Sequence, residues 1–238
     1  MFSWRTEVRP GTWVAFTDAG AGNLALHVGD DPADVRRRRD LLEAASGIKP
    51  RRFQYMNQVH GSDVLFLETS ADAHDTAVPT ADGLVSRGMP LAVMVADCVP
   101  VVMVAEPPSG TGSLPILAAV HAGRPGVAAG IVPGAIHKMR DAGAVDIRAW
   151  IGPSICGSCY EVPGSMRDSV TATVPAAWSE TSWGTPGLDL PAGVRSQLEA
   201  DGVAIEYSGQ CTLENESLYS YRRNRHTGRF AGLVWTHE

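Results

Sequence analysis

The sequence predicts a mixed α/β (α+β) fold in a single domain over residues 1–238, on three observations. Leu91 to Val95, Val99 to Val104 and Pro115 to Val120 are short apolar runs of strand length, the pattern of strands covered on both faces. Segments with helix start and stop residues interleave with them, which places strands and helices in alternation. The 238 residues, 44% hydrophobic and 19% charged, suffice for one large core, and no repeat, low-complexity tract or interdomain linker divides them.

In chain order, Val14 to Thr17 reads as a short strand. Gly20-Ala21-Gly22-Asn23-Leu24-Ala25 matches a dinucleotide-binding string, but no helix is expected to begin at these glycines, so they read as turn residues. The first helix is expected to open at Asp31-Pro32, with Asp31 as cap and Pro32 in the first turn, and to stop at Gly47. Its Arg36 to Arg39 run goes all round the helix, so most of it is read as solvated surface rather than a phosphate site. After the apolar strands, with a break at Cys98 to Pro100, Pro125 to Gly143 has helical character, with a kink or restart at Pro133. Val145 to Ile151 is the next strand, ended by Gly152-Pro153; a helix starts at Asp189-Leu190-Pro191 and stops near Asp201-Gly202. Val203 to Tyr207 is strand-like, and Leu218 to Arg223 with Arg229 to Trp235 read as a hairpin. The Pro- and Gly-bearing stretches Glu106 to Ser113 and Ser182 to Gly187 read as surface loops.

A net charge of −6 with no basic stripe argues against nucleic-acid binding, which needs clustered Lys and Arg. The longest apolar run is broken by Asp97, Cys98 and Pro100, so no membrane span is expected. The N-terminus lacks a charged-then-apolar signal pattern, and four cysteines then fit a reducing cytoplasm as thiols or metal ligands.

The chemistry concentrates in His60, Cys98 and His121. Two imidazoles and one thiolate make a three-ligand zinc set that keeps one position open, the composition of a catalytic site. The three are far apart in sequence, so spacing does not fix the site; context supports it. Cys98 and His121 sit at the ends of apolar strands, where α/β folds place their chemistry, and a glycine follows soon after each histidine. Alternatives stay open: a packed thiol and hydrogen-bonded histidines, a non-catalytic partner-binding module, or a metal-independent thiol hydrolase or deamidase with Cys98 as nucleophile. Asp97 is a candidate general acid/base or orienter of a ligand imidazole, and equally a turn cap. Arg222 and Arg223 are candidate phosphate contacts, of which strand alternation would send one toward the pocket. The Cys156-Gly157-Ser158-Cys159 pair has no second cysteine pair to complete a structural zinc site, so it and Cys211 are read as packed thiols. None of the seven histidines forms a His-x-His pair, which gives copper little support.

A series of motifs resembles the YfiH family, also described as laccase-domain or polyphenol oxidoreductase proteins and as purine nucleoside phosphorylases. They are Asn23-Leu24 with His27-Val28-Gly29-Asp30-Asp31, Asn57-Gln58-Val59-His60-Gly61, Ala81-Asp82-Gly83 and Ala96-Asp97-Cys98-Val99-Pro100. Ala119-Val120-His121-Ala122-Gly123, Ile151-Gly152-Pro153-Ser154-Ile155, Cys159-Tyr160-Glu161-Val162, Cys211-Thr212, Ser220-Tyr221-Arg222-Arg223 and Thr227-Gly228-Arg229 follow in order. The resemblance implies two mixed sheets between helical layers, as in the catalytic domain of cytotoxic necrotizing factor. It implies zinc held by His60, Cys98 and His121, phosphorolysis of adenosine, inosine, guanosine and methylthioadenosine with phosphate as co-substrate, and deamination of adenosine. The matched motifs offer Asn23 and Asn57, beside Arg222 and Arg223, as substrate contacts. The family's older label implies a copper-dependent polyphenol oxidase. Two departures bear on substrate range: Arg124-Pro125 stands where many members carry Trp-Arg, and the glycine-rich loop before Asn23 is short.

Overall fold

The computed structural model of the chain describes residues 1–68, 78–106, 114–207 and 209–237. Most of the loop expected at Glu106 to Ser113 lies outside these residues.

Strands β1 (Phe2–Arg9) and β2 (Thr12–Thr17) form an antiparallel pair. A single 3-10 turn, Ala19–Ala21, ends at Gly22 with φ +75°, so the glycines there do make a turn. Helix α1 (Pro32–Ser46) begins where Asp31 accepts a hydrogen bond from the Ala33 N–H at 2.7 Å and ends at Gly47, φ +71°. Then come β3 (Val64–Leu67), β4 (Gly83–Arg87), β5 (Leu91–Val95), β6 (Val99–Glu106) and β7 (Ile116–Ala122). Helices α2 (Arg124–Ala128) and α3 (Ile131–Asp141) precede β8 (Val145–Ile151). Helix α4 (Gly164–Thr171), the ribbon β9 (Trp178–Glu180) and β10 (Pro186–Leu188), α5 (Leu190–Ala200), β11 (Ala204–Tyr207) and β12 (Phe230–Thr236) complete the order.

Two main sheets result. One is mixed and six-stranded, in the order β11-β8-β6-β7-β4-β3; the other is four-stranded, β1-β2-β12-β5, and antiparallel throughout. Strand alternation lets each central strand fill two cores. In β6, Val101 and Met103 face the core under α2, α3 and α5, while Val102 and Val104 face the other sheet. In β5 and β12, Leu91, Val93, Phe230 and Val234 meet the six-stranded sheet, while Met94, Leu233 and Trp235 pack with Leu42 of α1. The stack is therefore helices, sheet, sheet, helix. Burying a side chain such as Leu42 or Leu117 completely contributes about 1.5–3 kcal/mol, so the layers hold by many such contacts.

Several expectations need correction. Residues 218–229 form turns, so there is no terminal hairpin; β12 pairs with β2 and β5 instead. The helical segment restarts at Ile131, after Gly130 at φ +80°, with Pro133 inside its first turn. The Arg36 to Arg39 run is only half solvated. Arg38 pairs with Asp30 at 2.5 Å, and Arg39 donates to the Leu24 carbonyl and lies 3.6 Å over the Tyr55 ring. Among the described residues no helix is long and apolar enough to cross a membrane.

Candidate metal centre and active site

The centre lies where the chain passes between the sheets. Strand β5 ends at Val95 in one sheet and β6 begins at Val99 in the other, so Ala96-Asp97-Cys98 is the crossover. Asp97 takes φ +86° there, a conformation that costs about 1–3 kcal/mol unless its surroundings fix it. They do: its Oδ1 accepts from the Thr212 hydroxyl at 2.6 Å, its Oδ2 from the Arg222 N–H at 2.7 Å, and its carbonyl from the Ile155 N–H at 3.0 Å. Cys98 is thereby aimed. His121 sits in β7 opposite Pro100 of β6. His60 lies in the loop before β3, also at positive φ, +61°.

Asp82 ties the histidines together. This fully buried carboxylate accepts from His121 Nδ1 at 2.7 Å and from the backbone N–H groups of Val59, His60 and Gly61 at 3.2, 2.9 and 2.6 Å. Three converging N–H groups form an anion nest that holds the His60 loop in its strained shape. The bond to Nδ1 leaves Nε2 of His121 for a ligand.

Nε2 of His60 lies 3.8 Å from Cys98 Sγ, the two imidazole rings are 4.7 Å apart, and one ligand atom from each of His60, Cys98 and His121 lies within 4.8 Å of the others. These donors fit a metal of the zinc type, and the backbone makes room for it. A Cβ on Gly123 would come within 2.9 Å of His60 Cδ2, 3.4 Å of Cys98 Sγ and 3.5 Å of His121 Cε1. Burial pushes the Cys98 thiol up, but the charge and hydrogen bond of His121, then those of His60, outweigh it and hold the thiol down at about 6. Burial pushes His121 down, but the Cys98 charge and the Asp82 hydrogen bond raise it to about 9. These directions favour a thiolate beside an imidazolium, and a divalent cation held by the pair would take the place of an imidazole proton.

The centre opens into a cavity of about 650 Å³ whose walls include Arg124, Arg222, Arg229, His27, Tyr160 and Tyr221. Three guanidinium groups in a chain of net charge −6 make this a locally cationic pocket. The Arg222 guanidinium lies 4.7 Å over the Tyr160 ring, and that of Arg229 is anchored on the Thr227 and Gly228 carbonyls.

The structure brings His60, Asp97, Cys98, His121 and Arg222 together around the cavity. It does not bring Asn23, Asn57 or Arg223 into the walls. Asn23 is buried, spanning Ala25 and Asp30 and accepting from the Arg229 N–H, so it acts on the pocket only through that backbone. Asn57 bonds Thr80 at 3.2 Å. Arg223 spends its guanidinium on the carbonyls of Thr212, Leu213, Asn215 and Leu218. One of the two adjacent arginines does face the pocket, through turn geometry rather than strand alternation. Asp97 touches neither imidazole by hydrogen bond; the orienting carboxylate is Asp82. Sequence reasoning assigned no role to Asp82, Arg229 or Tyr160, although all three stand inside motifs already noted, Ala81-Asp82-Gly83, Thr227-Gly228-Arg229 and Cys159-Tyr160-Glu161-Val162; Arg124 was noted there as a departure bearing on substrate range.

Residues 11–237 match the family described as multi-copper polyphenol oxidoreductase laccase. A purine nucleoside phosphorylase of Streptomyces coelicolor is 47% identical over 239 residues, covering 94% of this chain and 96% of the relative. One from Mycobacterium bovis is 45% identical over 218 residues, covering 90% and 84%. The crystal structure of YlmD from Geobacillus stearothermophilus superposes with a TM-score of 0.83 at 33% identity over 98% of both chains. That of YfiH from Bacillus licheniformis gives 0.80 at 27%, covering 94% of this chain and 92% of the other. With nearly every residue from Gly11 to His237 inside the match, the chain belongs to this laccase-domain family, the YfiH family that its motifs resemble.

Proposed function

We propose that the chain is a zinc-dependent purine nucleoside phosphorylase, acting on adenosine, inosine, guanosine and methylthioadenosine, that also deaminates adenosine. The proposal takes residues 1–238 as one catalytic domain working in the cytoplasm on small molecules, with no nucleic-acid or membrane partner. The observation that carries it is a two-imidazole, one-thiol donor set opening onto a cavity lined by three arginines. The relatives' names support the same reading.

His60, Cys98 and His121 would hold the ion. Zinc in such a set supplies Lewis acidity and lowers the pKa of water at its open position to about 7. A thiolate–imidazole set also suits copper. Multi-copper redox chemistry wants several histidine-rich sites, and among the described residues one candidate group contains histidine, which favours zinc.

In phosphorolysis a phosphate oxygen bonds to ribose C1′ as the bond from C1′ to the purine nitrogen breaks, and the purine leaves with that electron pair and takes up a proton. Arg222, Arg124 and Arg229 line the cavity and would hold the phosphate, with the fork geometry that guanidinium offers. Burial pushes the Tyr160 phenol up, so it stays protonated and presents an O–H donor to a leaving purine. Burial and then Arg229 push His27 down, which keeps it a neutral imidazole at the rim.

The test is chromatography of adenosine and inosine incubated with metal-defined protein, with and without phosphate. Free base should appear only with phosphate and vanish in His121→Ala; base release that survives in His121→Ala with unchanged zinc content refutes the site. A second reading has its own support, since the Cys98–His121 pair is a thiolate–imidazolium dyad without metal. A thiol hydrolase or deamidase of that kind would be activated by chelation and inactivated by Cys98 alkylation, whereas the phosphorylase loses activity on chelation.

A further inference from the structure

We propose that Cys156, Cys159, Cys211 and Glu214 form a second cation site, a closed four-donor structural zinc site on the loops that wall the cavity. One ligand atom from each lies within 4.8 Å of the others. A tetrahedral zinc with Zn–S bonds of about 2.3 Å sets its sulfurs about 3.8 Å apart, so small side-chain adjustments close this group around one ion.

The four donors come from two turns of the same build. Cys156-Gly157-Ser158-Cys159 and Cys211-Thr212-Leu213-Glu214 each space their donors three residues apart. In each, the N–H after the second donor returns to the carbonyl of the first: Tyr160 to Cys156 and Asn215 to Cys211, both at 3.0 Å. A parallel bridge between Ser154 and Cys211 sets the turns side by side. The Cys156 N–H then points at Cys211 Sγ from 3.5 Å, and Cys159 Sγ lies 3.4 Å from Glu214 Oε1. The expectation of packed thiols holds, since Cys159 and Cys211 are buried together with Cys156 against them. No second cysteine pair exists; the second pair of donors is Cys211 with Glu214.

All four cysteines are free, so no disulfide competes for the sulfurs. Three thiolates and a carboxylate make a soft, anionic set suited to zinc, and four protein donors leave no position for substrate. The site is therefore structural. Thr212, between Cys211 and Glu214, holds Asp97, and Tyr160, next to Cys159, lines the cavity, so the ion braces the wall beside Cys98.

The test separates the two centres by variant. Purified protein is incubated with Zn2+, desalted and assayed for bound metal, as wild type, His121→Ala, and His121→Ala combined with Cys159→Ser. His121→Ala should retain a full equivalent of zinc, and the double variant should lose it. Should the double variant fail to fold, Co2+ loading of His121→Ala combined with Cys98→Ser decides, because the three cysteines of the cluster are intact there and Cys98 is removed; an intense thiolate-to-cobalt charge-transfer band with tetrahedral d–d absorption supports the site. The proposal is overturned if His121→Ala binds no zinc and its combination with Cys98→Ser gives no such band. It is equally overturned if peptide mapping of protein held with Zn2+ shows a disulfide between two of Cys156, Cys159 and Cys211, which would leave those sulfurs no metal. Neither result bears on nucleoside phosphorolysis, which is read separately.

Discussion

Replacing Asp82 by Asn tests whether the orienting carboxylate was identified correctly. Its Oδ1 serves His121 Nδ1 and the His60 N–H, and its Oδ2 serves the Val59 and Gly61 N–H groups. An amide has one acceptor, so either orientation of the substituted side chain turns its NH2 toward two N–H donors. Two hydrogen bonds to a charged acceptor are lost, at about 1.5–3 kcal/mol each, or about 3–6 kcal/mol together. For a chain of this size that is a fall in unfolding temperature of about 6–24 °C for the metal-free protein. Releasing the His60 loop and freeing the His121 ring should also weaken zinc binding about 10- to 100-fold. Calorimetry of the metal-free variant reads the first, and competition with a chelating dye reads the second. If stability falls while zinc affinity stays within about twofold of wild type, Asp82 supports the fold alone and the orienting role is wrong.

Other predictions follow from the same contacts. Gly123→Ala puts a methyl 2.9 Å from His60 Cδ2 at a residue with an ordinary φ of −75°, so zinc affinity should drop at least about tenfold while the metal-free unfolding temperature hardly moves. Arg222→Ala should raise the phosphate KM about 10- to 100-fold, the worth of one charged hydrogen-bonding partner. Its neighbour's variant, Arg223→Ala, should leave KM near wild type and cost about 2 kcal/mol or more in urea unfolding. In Asp97→Asn the amide oxygen can still accept from the Arg222 N–H while its NH2 donates to the Thr212 hydroxyl, and Asn tolerates positive φ. Activity should therefore fall less than about tenfold, where loss of a general acid/base costs about a hundredfold or more. Glu43 is buried with Oε2 unpartnered, and burial raises its carboxyl above the unfolded value. The folded state then holds the proton more tightly, so stability is lowest above the folded-state pKa and recovers as pH falls through it. Glu43→Gln should stabilise at neutral pH, with a gain that fades toward acid; a gain independent of pH would contradict this.

The parts of the fold that a reader of the sequence can see are those in which one element satisfies its own local rule. The runs in β5, β6 and β7 are apolar on both faces because each strand lies between two layers, and Asp31-Pro32 with Gly47 is a complete set of helix boundaries. The parts that stay hidden obey rules set elsewhere. Strand β1 has no fully buried residue and carries charges along its length, so it lacks a strand's apolar signature and exists because β2 offers it an edge. Residues 218–223 carry the aromatic and apolar pattern of a strand, yet the Arg222 N–H is taken by Asp97 and Arg223 is bonded to four carbonyls. Those bonds impose turns.

The same distinction explains which site residues could be read. His60, Cys98 and His121, whose donor atoms the fold brings together, can be singled out in the sequence because few residue types can hold a transition metal and each stands beside a break in an apolar run. Polar residues around them were ambiguous, because sequence does not show where a side chain spends its hydrogen bonds. Asn23 and Arg223 spend theirs on the backbone and shape the wall from behind, whereas Arg222 leaves its guanidinium in the cavity against Tyr160. Asp82 reads as an ordinary Asp-Gly turn and is the most heavily bonded carboxylate of the centre. Both positive-φ residues at the site have their backbones held by bonds from distant segments, the His60 N–H by Asp82 and the Asp97 carbonyl by the Ile155 N–H. A centre assembled under that constraint keeps its ligand geometry before any metal or substrate arrives, so single substitutions of the holding residues that face the ligands should lower metal affinity as well as stability.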